Sequence, residues 1–325
     1  MTGFEFVRSF LCVSIIDSTE KTTVQVFPPE YMGVVAKPPP PYIPADISVI
    51  GFLQRVIIVF DQNIQPPKME FPMSNPVIER IHQHGSVRHY KPDPVSTDLI
   101  KTIVAAGQCA STSSNLQMYS VVVTTQEAQR FQLMGLCGDQ AHIGQAPVFL
   151  TWCADLSRLE RVCEMQGYIA ESGYTENLLL AAVDVSLVMQ NATLAAESLG
   201  LGICCIGGIR NQSQAVIDLL GLPRLVFPMC GMTLGWPERA PRIRPRLPLE
   251  AVLHWEQYQP DDRPQLLAYD QAMLETGIYS GRQVSDGEQK FSQAYGWLEH
   301  SSRRVSKAYR TELRQRLMDA GFEMK

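Results

Sequence analysis

A chain of mixed helix and strand, wound around one long buried helix, is what the sequence predicts. The helix is the first observation. From Glu176 to Leu199, apolar residues such as Leu178 to Val183, Leu187, Val188 and Met189 occupy nearly every face, and no charge falls between Asp184 and Glu197. A helix with so little polar surface is buried on most sides, in a core or across a subunit interface. Gly200 and Gly202 supply its stop. The second observation is Ile203-Cys204-Cys205-Ile206, a short buried strand. Gly207-Gly208 ends it where backbone can approach a flat ligand closely. The third is Pro147 to Cys153, a continuous apolar run with the character of a core strand.

With 325 residues the chain has ample material for a core. A hydrophobic share of 45%, a charged share of 19% and a net charge of −5 describe a soluble globular protein with no nucleic-acid or membrane partner. The eight cysteines show no CxxC or Cys/His metal spacing, and Cys204 and Cys205 are adjacent within an apolar strand. That usage suits reduced core thiols and a cytoplasmic location, with no metal site. No apolar run is expected to cross a membrane, and the N-terminus has no clear signal-peptide cleavage site.

Residues 1–72 differ from the rest. KPPPPYIP, from Lys37 to Pro44, favours extended polyproline II, and the apolar run from Ile47 to Phe60 is broken off by Pro66 and Pro67. This stretch is expected to be a poorly ordered extension or a non-native start. The functional domain is expected over 73–325, with Asn75 capping a helix that begins at Pro76.

His84 to Tyr90 then gathers an imidazole, a hydroxyl and a guanidinium within a few residues, a set suited to phosphate. A helix capped by Ser96 leads to the polar loop Ser111 to Asn115, and a strand follows from Tyr119 to Thr124. A helix is expected over Glu127 to Leu136, then an irregular polar excursion from Asp155 to Thr175. Beyond the glycines come a helix from Asn211 to Leu220, a strand from Met229 to Leu234, and Arg242-Ile243-Arg244-Pro245-Arg246. Alternate arginines on one side of an extended segment repel unless an anion joins them. Near the C-terminus, Arg303, Arg304, Lys307, Arg310, Arg314 and Arg316 suggest one basic helix.

Several of these segments carry a resemblance to the flavin-dependent nitroreductase family, closest to its bacterial oxygen-insensitive NADPH nitroreductase and NADPH–flavin oxidoreductase branch. They are His84-Gly85-Ser86-Val87-Arg88, the Ser/Thr loop through Gln117, Gly138-Asp139-Gln140, Ala195 to Gly202, Ile206 to Asn211, Leu234 to Pro237 and Pro245 to Pro248. The resemblance implies an α+β, three-layer, nitroreductase-like fold, with a central mixed or antiparallel sheet flanked by helices. It also implies a homodimer binding one noncovalent FMN per subunit, with NADPH as diffusible electron donor.

Carried over residue by residue, His84, Gly85, Ser86, Val87 and Arg88 would hold the phosphate and flavin edge. Thr112, Ser114 and Gln140 would line the ring and ribityl chain. Cys205, Ile206, Gly207 and Gly208 would lay backbone against the ring, and Arg244 and Arg246 would close the phosphate site. Arg244 stands where lysine is frequent and Cys205 where a larger polar residue is frequent, so the sequence departs from the pattern at both. Arg282 and Arg310 are matched to the NADPH 2′-phosphate. The implied reaction is two-electron ping-pong reduction of nitroaromatics, quinones or free flavin. Because the flavin carries the hydride chemistry, no side-chain acid, base or nucleophile is expected in that step. Flavin fragmentation, dehalogenation or flavin binding without useful turnover are the alternatives within the fold.

Overall fold

A computed structural model describes residues 74–281, 283–284 and 295–325. The extension over 1–72 and Arg282 lie outside the described residues.

The chain opens with α1 (Pro76–His82), whose cap is Asn75: its side-chain oxygen accepts from the N–H groups of Val77 and Ile78, both at 3.0 Å. Ser96 caps α2 (Thr97–Gln108) in the same manner through Leu99 N–H. Then follow β1 (Tyr119–Thr124), α3 (Glu127–Leu136), α4 (Ala141–Gln145), β2 (Val148–Asp155), α5 (Ser157–Gln166) and α6 (Thr175–Ser198). The later elements are β3 (Gly202–Ile206), α7 (Ser213–Leu220), β4 (Val226–Gly235), α8 (Arg263–Glu275), α9 (Trp297–Val305) and α10 (Leu313–Asp319).

The strands form one sheet in the order β1-β2-β4-β3, every pairing antiparallel. β2 is buried along its whole length, as a central strand with both faces covered must be. On one face, Leu150, Trp152, Ile203, Met232 and Leu234 meet α6 through Val185, Val188, Ala192 and Ala196, with Ile100 and Ile103 of α2 behind. On the other, Phe149, Cys204 and Ile206 meet Leu133, Ile143 and Val216 from α3, α4 and α7. The result is helix, sheet, helix.

Three expectations need correction. The stretch from Asp155 to Thr175 is not irregular throughout: α5 forms there, with Gly167 closing it in the left-handed conformation. The C-terminal arginines do not share one helix. Arg303 and Arg304 lie in α9 and Arg314 and Arg316 in α10, while Lys307 and Arg310 fall between the helices, where Arg310 takes a positive φ of 53° and turns the chain. By length and mean hydropathy (1.6), α6 does reach the range of a membrane-crossing helix. It is nonetheless a core helix on its inward face, packed on α2 and the sheet, and both of its interior carboxylates are bonded within the fold.

Candidate functional site

The segment from His84 to Tyr90 is laid along the outer edge of β3. Val87 N–H donates to Ile203 O at 2.8 Å, and the Tyr90 hydroxyl donates to Val87 O at 2.8 Å while pairing with Thr233 Oγ1 at 2.7 Å. Two glycines make the close approach possible. A Cβ on Gly202 would collide with the Val87 side chain, and one on Gly85 would stand 2.8 Å from Pro241 Cβ and 2.9 Å from Arg242 O. The segment is thereby sandwiched between β3 and the arginine-bearing stretch over 241–246.

That sandwich creates a cavity of about 560 Å³, lined by Ser86, Val87, Arg88, Arg239, Arg242 and Arg244, with the turn at Gly277 to Ser280 on its far side. Among the described residues that line it, four are arginines and none is a carboxylate. Four guanidinium groups gathered around one cavity favour an anion there.

His142 in α4 registers the same positive field. Burial first, then Arg88 and His89, push its imidazole from the ordinary 6.5 to about 4. The unfolded chain therefore takes up a proton below pH 6.5, whereas the folded one resists until about pH 4. Stability should fall across that window on acidification, by up to about 3 kcal/mol. In His142→Gln that acid-side loss should be absent, which urea midpoints measured from pH 7 to pH 4 will show.

The two charges of α6 that border its apolar run point inward, and each anchors one piece of the site. Glu197 Oε1 lies 2.6 Å from His84 Nδ1. Asp184, fully buried, accepts from Ser113 N–H at 2.9 Å and Met118 N–H at 3.0 Å. Between those two clamps the loop carries positive φ at Ser114, Asn115 and Gln117. Such conformations persist in residues other than glycine only where surroundings hold them. Sequence reasoning treated these carboxylates as borders of an apolar run. The usable signal was that an acid inside an apolar helix needs a partner.

The glycine shelf is the third piece. A Cβ on Gly208 would collide with Cys137 O and stand 2.8 Å from Gln140 Nε2, which itself donates to Cys137 O at 2.9 Å. Gly208 is thus docked on the Gly138 to Gln140 turn. At Gly207 an added Cβ would meet only Arg210 Nη2, at 3.5 Å, so this side of the shelf has room. Arg310 reaches in from the C-terminal portion, donating to Gly207 O and Asn211 Oδ1, both at 3.0 Å.

The expected residues therefore fall into distinct groups. Ser86, Val87, Arg88 and Arg244 share the cationic cavity; Gln140, Gly207 and Gly208 share the shelf; Thr112 and Ser114 ride on the loop held by Asp184. His84 does not line the cavity and has its Nδ1 occupied by Glu197. Arg246 does not line it either, and its Nη1 donates to the carbonyls of Arg244 and Pro245. Sequence reasoning missed Arg239, and it named Arg242 only for its alternation with the neighbouring arginines.

Comparison with known proteins bears on this arrangement. The model of the nitroreductase family matches residues 81–236, and that of the nitroreductase family C-terminal domain matches residues 244–325. The chain belongs to the nitroreductase family. Within that family it is 43% identical, over 64% of its own length and 85% of the relative's, to an oxygen-insensitive NADPH nitroreductase of Salmonella typhimurium. An FMN reductase of Bacillus subtilis, named for NAD(P)H, is 34% identical over 77% of this chain and 99% of its own. The solved nitroreductase A from Vibrio parahaemolyticus superposes with a TM-score of 0.70 at 35% identity, over 78% of this chain and all of that one. The two matched spans include Ser86, Arg88 and Arg244 of the cavity and the glycine shelf, while Arg239 and Arg242 lie between them.

Proposed function

We propose that this protein is an FMN-dependent NADPH oxidoreductase of the nitroreductase family, reducing nitroaromatics, quinones or free flavin by two-electron ping-pong transfer. The observation that carries the reading is the cavity shared by Arg88, Arg239, Arg242 and Arg244 beside Ser86, a match in charge and donors for a dianionic phosphate. The open side of Gly207 supports it, since a flat ring needs backbone that it can approach. When bound, FMN supplies the hydride chemistry. The chain's own residues bind and orient: Ser86, Arg88 and Arg244 hold the phosphate, and the shelf at Gly207 and Gly208 faces the ring. The loop bearing Thr112 and Ser114 closes over polar edges, and His84, fixed by Glu197, presents its remaining nitrogen. Arg246 and Gly85 support the backbone on which these groups stand, and Arg310 braces Gly207 from below.

Residues 73–325 are read as the functional domain, supported by the near-complete coverage of relatives that this span matches. A homodimer is supported by Leu179, Val183 and Leu187, four residues apart on α6 and exposed at 57%, 55% and 43%. An apolar stripe of that kind on an otherwise packed helix is a surface to be covered. A cytoplasmic location is supported by the free state of all seven cysteines among the described residues.

Absorbance of the purified protein tests the function. It should be yellow, and anaerobic NADPH should bleach the flavin band with about one equivalent per FMN, oxidised again by a quinone. A yellow protein that NADPH leaves unbleached would support flavin binding without this turnover. A colourless protein that ignores added FMN would reject the reading altogether.

A further inference from the structure

A second cationic cavity, of about 280 Å³, opens between the start of α7 and α10, and it shares no lining residue with the first. Arg210, Arg310 and Arg316 line it, and Glu312 is the one carboxylate among its described lining residues. That carboxylate is already engaged: Arg316 donates to Glu312 Oε2 at 3.0 Å and to Asp319 Oδ2 at 3.4 Å. Arg210 and Arg310 bond only neutral oxygens. Arg210 Nη1 donates to Met229 O, while Arg310 uses Nε and Nη2 on Asn211 and Gly207. Arg210 Nη2 and Arg310 Nη1 are left without a partner among the described residues. Burial first, then Arg210 and Arg304, holds the pKa of Arg310 below its ordinary 12.5, as cations gathered without a neutralising charge require.

Ser213 indicates what belongs there. It is 3% exposed, it lines the cavity, and its hydroxyl has no hydrogen-bond partner among the described residues. A buried hydroxyl is ordinarily bonded, so this one lacks a group that a ligand would supply. Ser213 also opens α7, and no side chain caps that helix. With Gln214 and Ala215 it brings the first-turn N–H groups, and the positive end of the helix dipole, to the same cavity. Buried hydroxyl, helix terminus and two unpaired guanidinium groups are all donors. Their common complement is an anion.

We propose that this cavity binds a free tetrahedral oxyanion of the phosphate or sulfate class. The Ser213 hydroxyl, the first N–H groups of α7, Arg210 Nη2 and Arg310 Nη1 donate to its oxygens. The cavity has half the volume of the first, about 280 against 560 Å³, and its lining holds no aromatic side chain, with only Ala215 and Leu313 apolar. It offers no face for a nucleotide base, which sets it apart from a site for the dinucleotide donor. Binding of the oxyanion needs no flavin. One consequence does rest on the flavin reading: Arg310 also donates to Gly207 O, so an occupant steadies the guanidinium that braces the ring shelf.

Inorganic phosphate is the probe, used on the full-length protein with sodium chloride holding the ionic strength constant. Phenylglyoxal modification, mapped by mass spectrometry, reads each arginine separately. Phosphate should slow the modification of Arg210 and Arg310 together, along one saturation curve. In Ser213→Ala the half-protecting concentration should rise roughly tenfold, the loss of a hydrogen bond to a charged group. In Arg88→Ala it should stay at the wild-type value, because that residue lines the other cavity. Protein without bound flavin should show the same protection, so failure of the flavin reading leaves this result legible. Protection confined to Arg88, Arg242 and Arg244 would overturn the proposal, as would equal modification of Arg210 and Arg310 in phosphate and in chloride. The wild-type comparison decides the matter even if Ser213→Ala does not fold.

Discussion

Arg88→Ala is expected to weaken FMN binding by roughly 30- to 150-fold, the loss of about 2–3 kcal/mol from charge-assisted hydrogen bonds to phosphate. The expectation follows from placement. Arg88 lines the cationic cavity and makes no ion pair among the described residues, so its guanidinium is not already spent on the fold. Little stability should be lost, because the side chain is only half-buried. Arg88→Lys should fall between, keeping the charge without the planar fork. A second readout is built in: removing Arg88 takes one cation from beside His142, whose depressed pKa should move back upward. Fluorescence titration with FMN and the pH dependence of the urea midpoint measure the two effects separately. Unchanged FMN affinity together with a shifted His142 would remove Arg88 from the phosphate site.

Asp184→Ala should act in the opposite manner, on the fold first and the site second. Its carboxylate satisfies two backbone N–H groups, Ser113 and Met118, in a buried setting. Deleting it leaves both donors unpaired and frees a loop with three left-handed residues. A cost of about 3 kcal/mol is expected. For a domain of this size that corresponds to a Tm lower by roughly 6–12 °C. FMN retention should drop with it, since Thr112 and Ser114 stand on that loop, while Asp184→Asn, still an acceptor, should recover part of the stability. Scanning calorimetry with and without FMN separates the two losses. A variant with wild-type Tm would show that the loop does not depend on this anchor.

Much of the architecture was legible from local signals. Asn75 and Ser96 announce their helices, α6 is evident from its apolar faces, and Pro147 to Cys153 is evident from its unbroken apolarity. Those features are short-range, and sequence displays them directly. What stayed hidden depends on contacts between distant segments. That Gly85 and Gly202 each admit a neighbouring segment, or that Gly208 sits on Cys137 O, is a matter of packing against residues far away in the chain. Polarity in the segment beginning at Asp155 obscured α5, because a surface helix there needs few apolar residues. The continuity of the C-terminal arginines concealed the left-handed turn at Arg310, whose bonds to Gly207 and Asn211 lie about a hundred residues back.

The site residues were legible by type and only partly by grouping. Arginines alternating at 242, 244 and 246 imply an anion, yet the backbone directs the third toward its own carbonyls. His84 reads as a phosphate donor until Glu197 is seen against it.

FMN and riboflavin differ by one phosphate, so the ratio of their affinities for the full-length protein isolates the cationic cavity from the ring shelf. Calorimetric titration should find FMN bound at least a hundredfold more tightly than riboflavin, with the advantage collapsing in Arg88→Ala. Equal affinities in the wild type would mean that Arg88, Arg239, Arg242 and Arg244 do not hold a flavin phosphate.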